Sequence, residues 1–270
     1  MKKQKHLIVS GCSFTEILSG TFPQDNPPFK TWPSFLIEKL HKHSLSSSAL
    51  GSQGNGLISR GIIYQVSTQL KNGVNPKDIL VGVQWSGSDR MDFLLDDDQI
   101  DRLNLDRSLG LWNQNPITNW DGWMENPTGF IPDQPKNWVL TNLGWKLAKD
   151  YYAKYHSMMY GAVMTLEHIL RTQWFLERNN ITYFMTTMNS KVLLPTASSG
   201  TDPTIMHLHD QIDFTKFLPI PGMQEWCYGD GENDIGATNW MRHPTLKHQK
   251  KFAEDLVFPW LQANNYIGED

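Results

Sequence analysis

The sequence has few cysteines and few charged side chains, and each shortage excludes a class of protein. Two cysteines among 270 residues, Cys12 and Cys227, are too few and too far apart for a disulfide-rich scaffold, which favours a reducing compartment. Charged residues make up 19% of the chain and hydrophobic residues 39%, a balance that can supply a core and excludes a disordered protein.

Long apolar runs are also missing. The N-terminal segment holds only the short run Leu7–Val9 before Ser10, whereas a secretory signal peptide needs about 7–15 apolar residues. No window approaches the roughly 18 apolar residues of a membrane span. We therefore expect a soluble protein with no signal peptide and no membrane partner, located in the cytoplasm or in a virus particle.

The charge balance and the tryptophan content narrow the choice of partners. Lysine and arginine total 24 against 28 acidic residues, for a formal net charge of −4. Such a chain lacks the positive field that nucleic acids require, so we expect no nucleic-acid partner. The 11 tryptophans are many, and excess tryptophan is typical of cores, carbohydrate-binding clefts and protein interfaces.

Strand-like and helix-like patterns alternate along the chain. Apolar segments at 6–10, 45–50, 79–85 and 181–188 predict strands. Helical spacing predicts helices at 32–42, 55–70, 144–178 and 244–257, the last ending before Pro259. The alternation predicts one α/β domain over 1–270, a three-layer α/β/α fold around a parallel sheet of about five strands.

Two regions, 94–143 and 189–238, lack this periodicity and are predicted to be irregular insertions. The first contains four tryptophans among Asn, Asp and Gly residues: Trp112, Trp120, Trp123 and Trp138. They can stack on sugar rings at the mouth of a site, form a small core of the insertion or make an oligomer contact. We slightly favour the first, because insertions in such folds often overhang the carboxyl edge of the sheet.

Polar and glycine-rich segments follow the first three predicted strands, where an α/β fold collects reactive groups. They are residues 11–15, 51–55 and 86–89, and His243 precedes the last helix. A serine in a tight turn exposes its hydroxyl, and a histidine at the same edge can take its proton. Backbone amides of nearby glycines can then stabilise an oxyanion.

Five motifs in this order resemble the SGNH hydrolases, also called GDSL esterases and lipases. GCSFT stands where that family has its nucleophile block, and WPSFLIEKL is similar to the helix that often follows. SALGSQGNGLISRGI resembles the block with the oxyanion glycine, and ILVGVQWSGSDR the strand that ends in G-x-N-D. HPTLKHQKKFAEDL resembles the final histidine block. Together the motifs span the chain apart from the two insertions.

The resemblance implies a flavodoxin-like SGNH hydrolase fold with Ser13 as nucleophile and His243 as general base. It implies that the amides of Ser13 and Gly54 bind the oxyanion. Two departures change the pattern: Cys12 replaces the usual aspartate, and Ser88 replaces the asparagine whose side chain donates to the oxyanion. The third donor is then Ser88 itself as a weaker one, or Asn55 or Ser86.

The family's acid is missing, because Trp240 lies three residues before His243 in place of an aspartate. Three alternatives remain open. Another carboxylate can serve, with Asp234 the first candidate and Asp230 the second; a backbone carbonyl can hold the imidazole in a Ser–His dyad; or the protein has lost activity and keeps the fold for binding.

We therefore expect a serine esterase that acts on an acylated carbohydrate or another small ester, with no cofactor and no metal. The alternative is an inactive binding or structural protein with the same fold, for example in a phage particle, and a third option is acyl transfer between sugars. An oligomer that forms through the Trp-rich insertion is compatible with both the esterase and the binding protein. We interpret three other polar groups as incidental: His248, the pair His207 and His209 with Asp210, and the acidic run 96–98.

Overall fold

The computed structural model describes residues 5–17, 30–51, 53–94, 138–140, 146–194, 202–229 and 243–267. In chain order the elements are β1 (Lys5–Ser10), α1 (Trp32–Lys39), β2 (His43–Ser47), α2 (Asn55–Lys71), a 3-10 turn (Pro76–Asp78), β3 (Ile79–Trp85), β4 (Asp92–Leu94), β5 (Trp138–Leu140), α3 (Lys146–Lys154), α4 (Met158–Arg178), β6 (Thr182–Thr187), α5 (Pro203–His209), a second 3-10 turn (Phe214–Lys216), α6 (Met223–Gly229), α7 (Leu246–Lys251), a π-helical stretch (Phe252–Val257) and α8 (Phe258–Ala263).

The predicted α/β fold is confirmed: four parallel strands form a sheet in the order β2-β1-β3-β6. About five strands were expected. The described residues contain no fifth strand in this sheet, but one isolated parallel bridge joins Met185 of β6 to Phe217. All seven residues of β3 are buried, as in parallel sheets covered on both faces.

Helices cover both faces of the sheet, which gives the three layers. On one face α2 and α4 pack over a cluster that includes Ile8, Val83 and Leu166. On the other, α1 and the C-terminal helices pack over a second cluster that includes Val9, Trp32 and Phe252. β1 has β2 on one side and β3 on the other, so the order in which successive strands join the sheet reverses at β1. In open α/β sheets, ligands bind at the carboxyl ends of the strands beside such a point.

Two helix predictions were wrong in extent. The segment 144–178 is not one helix but α3 and α4, since the Ser157 side chain accepts a hydrogen bond from the Tyr160 amide and begins a new helix. The last helix does not end before Pro259 but continues through it. Proline lacks an amide hydrogen, and it follows a π-helical stretch in which the regular hydrogen-bond ladder is already shifted.

Short regular elements lie in the described parts of the two predicted insertions. β4 pairs antiparallel with β5 at the two ends of the first, so Leu94 lies opposite Trp138. The second contains α5 and α6 and is therefore partly helical, with Asp202 capping the amides of Thr204 and Ile205. Residues 112, 120 and 123, which carry three of the four tryptophans, lie outside the described residues.

Two expectations about composition can be compared with the structure. Neither cysteine forms a disulfide, and both thiols are buried. No helix in the described part of the chain is long and apolar enough to cross a membrane.

Candidate active site

Ser13 lies in a tight turn directly after β1. The amides of Thr15 and Glu16 both donate to the Cys12 carbonyl oxygen, at 2.9 and 3.0 Å, which folds the chain back on itself. A Cβ at Gly11 would lie 2.8 Å from the Thr15 Cβ, so this close approach requires glycine. The Thr15 hydroxyl donates to Gln84 Oε1 on β3 at 2.7 Å, which fixes the turn to the neighbouring strand.

His243 meets Ser13 although the two are 230 positions apart. Ser13 Oγ and His243 Nε2 are 2.7 Å apart, a hydrogen-bond distance. The imidazole packs edge-on against the Phe14 ring, with centroids 5.1 Å apart. The Tyr228 hydroxyl donates to the His243 carbonyl oxygen at 2.8 Å, so the ring and the backbone of His243 are both held. The structure therefore brings together the two groups that the sequence assigns as nucleophile and base.

The two carboxylates expected to act as the acid both belong to the segment between α6 and α7. Asp234 and Asp230, and also Trp240, lie in 230–242, outside the described residues. The three alternatives for the histidine partner therefore stay predictions.

The Gly54 amide was expected to donate a hydrogen bond to an oxyanion, but it already donates to a carboxylate of the fold. The Gly54 amide donates to Asp92 Oδ1 at 2.9 Å, and the Leu57 amide donates to Asp92 Oδ2 at 3.0 Å. Asp92 thus caps the first turn of α2 from another part of the chain, where a carboxylate stabilises the helix dipole. Burial raises the pKa of Asp92 to about 6; the two amide bonds and the positive charges of Arg60 and Arg90 oppose this shift.

Asn55 and Ser88 were the other expected donors, and Asn55 is fully engaged. Its Nδ2 donates to the Ser86 carbonyl oxygen and to Thr165 Oγ1, both at 3.0 Å, while its Oδ1 accepts from the Ser86 amide at 2.7 Å. Asn55 therefore ties the start of α2 to the end of β3 and α4 and does not point to an oxyanion. Ser88 is buried in the loop between β3 and β4. Ser86 is also buried, and its Oγ accepts from Arg90 Nη1 at 2.9 Å.

Glu16, three residues after Ser13, was not among the predicted site residues. Its Oε2 accepts from the Gly51 amide at 2.8 Å, and a Cβ at Gly51 would lie 3.8 Å from the Ser13 Cβ. Burial raises the pKa of Glu16 to about 7, an effect that the Gly51 hydrogen bond partly offsets. An acidic residue three positions after the candidate nucleophile was the available signal, but nothing in the sequence pairs it with Gly51.

Two of the three groups interpreted as incidental lie in the described part of the chain. His248 is buried, contacts Thr245 Oγ1 at 3.1 Å and packs against Tyr228. His209 packs against Phe214. Among the described residues no group of three or more potential ligands could hold a metal ion. The acidic run 96–98 lies outside them.

Comparison with known proteins does not extend this picture. No protein-family model matches the chain, and no curated protein matches it either.

Proposed function

We propose that the chain is a serine acyl hydrolase of the SGNH type that acts on an acylated carbohydrate or another small ester. The observation that supports this most is the 2.7 Å contact between Ser13 Oγ and His243 Nε2 at the carboxyl edge of a parallel sheet. A hydroxyl hydrogen-bonded to an imidazole is the arrangement that activates serine for attack on a carbonyl carbon.

In the proposed reaction, the imidazole accepts the Ser13 proton on Nε2 while Oγ forms a bond to the ester carbonyl carbon. The carbonyl electron pair moves onto its oxygen, which the Ser13 amide stabilises. The intermediate then breaks its bond to the alcohol oxygen, and His243 returns the proton to the departing alcohol. Water attacks the acyl-serine by the same route, which releases a carboxylic acid and restores Ser13.

Labelling with a fluorophosphonate probe tests the proposal, because this reagent modifies activated serines. We expect one labelled residue, Ser13, identified by mass spectrometry, and no labelling of the Ser13→Ala or His243→Ala variants. Ser67→Ala is the matched control, since Ser67 lies on α2 away from the turn after β1, and it should label like the parent. Labelling of Ser13→Ala equal to that of the parent contradicts the proposal.

A binding protein without catalysis is the second candidate, and one observation favours it. Both glycine amides in the loop after β2 already donate to carboxylates, Gly51 to Glu16 and Gly54 to Asp92. Carboxylates at these amides oppose a second negative charge there. Full folding together with an absence of probe labelling would favour this candidate over the hydrolase.

A further inference from the structure

A buried glutamine, Gln249, links the turn that carries Ser13 to the helix that follows His243. Gln249 lies on α7 and is 1% exposed. Its Nε2 donates to the Phe14 carbonyl oxygen at 3.2 Å, and its Oε1 accepts from the Trp32 amide at 2.9 Å. One side-chain amide therefore joins α7 both to the turn after β1 and to the start of α1.

Both hydrogen bonds of this side chain end on backbone groups that bear on the candidate nucleophile. Phe14 directly follows Ser13, so a shift of the Phe14 carbonyl group also moves the serine. The Trp32 amide belongs to the first turn of α1, where amides have no partner within the helix. Gln249 supplies such a partner and so fixes the beginning of α1 against α7.

The start of α1 is held to the same turn by two further hydrogen bonds. The Thr31 hydroxyl donates to the Thr15 carbonyl oxygen at 3.0 Å, and Trp32 Nε1 donates to Thr15 Oγ1 at 3.2 Å. Thr15, Thr31 and Trp32 are fully buried. The turn, the start of α1 and α7 are therefore joined in a closed network, and Gln249 is the side chain that α7 contributes to it.

The backbone of Gln249 is joined to the segment that carries His243. The Gln249 amide donates to the Thr245 carbonyl oxygen at 2.9 Å. The Thr245 hydroxyl oxygen accepts from the His248 amide at 3.3 Å and begins α7. Only Pro244 separates Thr245 from His243, and the ring of proline fixes its own φ. The position of α7 therefore determines where the imidazole lies.

We propose that Gln249 is a positioning residue that sets the separation of Ser13 Oγ from His243 Nε2. These two atoms are 2.7 Å apart although their residues are 230 positions apart. Gln249 acts on Ser13 through the Phe14 carbonyl group and on His243 through the first turn of α7. Its effect on a reaction rests on the proposed function, whereas its effect on this distance does not.

Gln173 provides a matched control on the other face of the sheet. It is also buried, and it lies on α4, which packs opposite α1 and α7. Its Nε2 donates to the Gln211 carbonyl oxygen at 3.2 Å, and its Oε1 accepts from the Asp213 amide at 2.9 Å. The two glutamines therefore make the same kinds of hydrogen bond at the same lengths, but those of Gln173 join α4 to the chain before the second 3-10 turn.

Replacement of each glutamine by methionine, which is similar in size but cannot make these hydrogen bonds, tests the proposal. Gln249→Met and Gln173→Met should lose similar amounts of unfolding free energy in urea, because each loses the same two bonds. Gln249→Met should also lower kcat for p-nitrophenyl acetate about tenfold or more with an unchanged KM, because small displacements of reacting groups slow a reaction strongly. Gln173→Met should keep the kcat of the parent.

Asparagine provides a milder pair of variants, which retain the amide group but are one carbon shorter. Gln249→Asn cannot span the distance between the Phe14 carbonyl oxygen and the Trp32 amide without moving the backbone. We therefore expect its kcat to fall about fivefold, the effect of one ordinary hydrogen bond. Gln173→Asn should again match the parent.

The nitrogen chemical shift of His243 Nε2, measured by NMR, gives a readout that does not depend on the reaction. A neutral imidazole nitrogen changes its shift when it loses a hydrogen-bond donor, so Ser13→Ala should change it. Gln249→Met and Gln249→Asn should move the shift toward the Ser13→Ala value, and both Gln173 variants should leave it unchanged.

The two readouts separate this inference from the proposed function. A parent that hydrolyses no ester and takes up no probe contradicts the hydrolase, and the nitrogen shift then still decides the role of Gln249. A parent-like shift in both Gln249 variants, or equal changes in the Gln173 variants, overturns the inference.

Discussion

The turn after β1 and the loop after β2 lie at the same edge of the sheet, but their polar groups are used differently. In the turn, the Ser13 hydroxyl contacts an imidazole that comes from the far end of the chain. In the loop, the amides of Gly51 and Gly54 donate to carboxylates, and the Asn55 side chain makes three hydrogen bonds within the fold.

The contacts in the loop after β2 join elements of the fold, whereas the Ser13–His243 pair is the one that reacts in the proposed function. The Ser13–His243 pair can exchange a proton without breaking a contact that supports the fold. The contacts of Asn55 and Asp92 instead join α2 to the end of β3 and to the segment that follows it, so they are expected to contribute to stability. Variants in the two regions should therefore affect different measurements.

The largest expected effect is on the reaction. Ser13→Ala and His243→Ala should each lower the rate of p-nitrophenyl acetate hydrolysis about 10³-fold or more, because serine and base act as a unit. For the same reason the double variant should lose little more than either single variant. Multiplicative losses, with both single variants folded like the parent, would show that the two side chains act independently.

Asn55→Ala should have the largest effect on stability. It leaves the buried Ser86 amide and carbonyl without their partner, so we expect a loss of about 3 kcal/mol in the free energy of unfolding, measured in urea. Asn72→Ala, at the C-terminal end of α2, should change it by less than about 0.5 kcal/mol. Similar losses in both variants would remove the distinction between the two regions.

Glu16→Gln should change how stability depends on pH. The pKa of Glu16 is raised from 4.5 to about 7 in the fold, so the folded state binds more protons than the unfolded state between these values. The contribution of Glu16 is therefore fully present below pH 4.5 and is lost as the pH rises through about 7. Relative to the parent, the variant should gain about 2 kcal/mol between pH 5 and pH 8, allowing for solvent around this half-buried side chain.

Denaturation of both proteins at pH 5 and pH 8 measures this gain. Glu38→Gln is the control, because Glu38 is exposed on α1 and pairs with Lys30 at the surface. Parallel pH curves for the parent and Glu16→Gln would mean that the carboxyl is not held in the buried position beside Gly51.

The smallest expected effect comes from the support of His243. Tyr228→Phe removes the hydrogen bond to the His243 carbonyl oxygen but keeps the ring against His248. A net loss of about 1 kcal/mol corresponds to an approximately fivefold lower kcat, with an unchanged KM. Tyr64→Phe on α2 should match the parent. A parent-like kcat in Tyr228→Phe would show that the backbone of His243 needs no such support.

The sequence predicted the layers of the fold well, because they depend on local patterns. The buried run of β3 and the periodicity of α2 are visible in any window that contains them. The break at Ser157 and the helix through Pro259 were missed, because each depends on the detailed hydrogen-bond ladder rather than on hydrophobic spacing.

For a similar reason, some residues of the candidate site could be identified from the sequence and others could not. Ser13 and His243 carry local signals, a strand followed by a glycine turn and a histidine before a helix start. Asp92 and Glu16 carry none, because their role arises from which glycine amide the tertiary fold places beside them.

The antiparallel pair of β4 and β5 has a consequence for how the chain can be altered. Since Leu94 and Trp138 are direct backbone partners, the chain leaves this two-stranded sheet and returns to it at the same end of the pair. Two residues such as Asn-Gly suffice to connect partners of this kind. We therefore expect a chain in which such a turn replaces residues 95–137 to keep the pairing of β4 with β5 and the register of the four parallel strands.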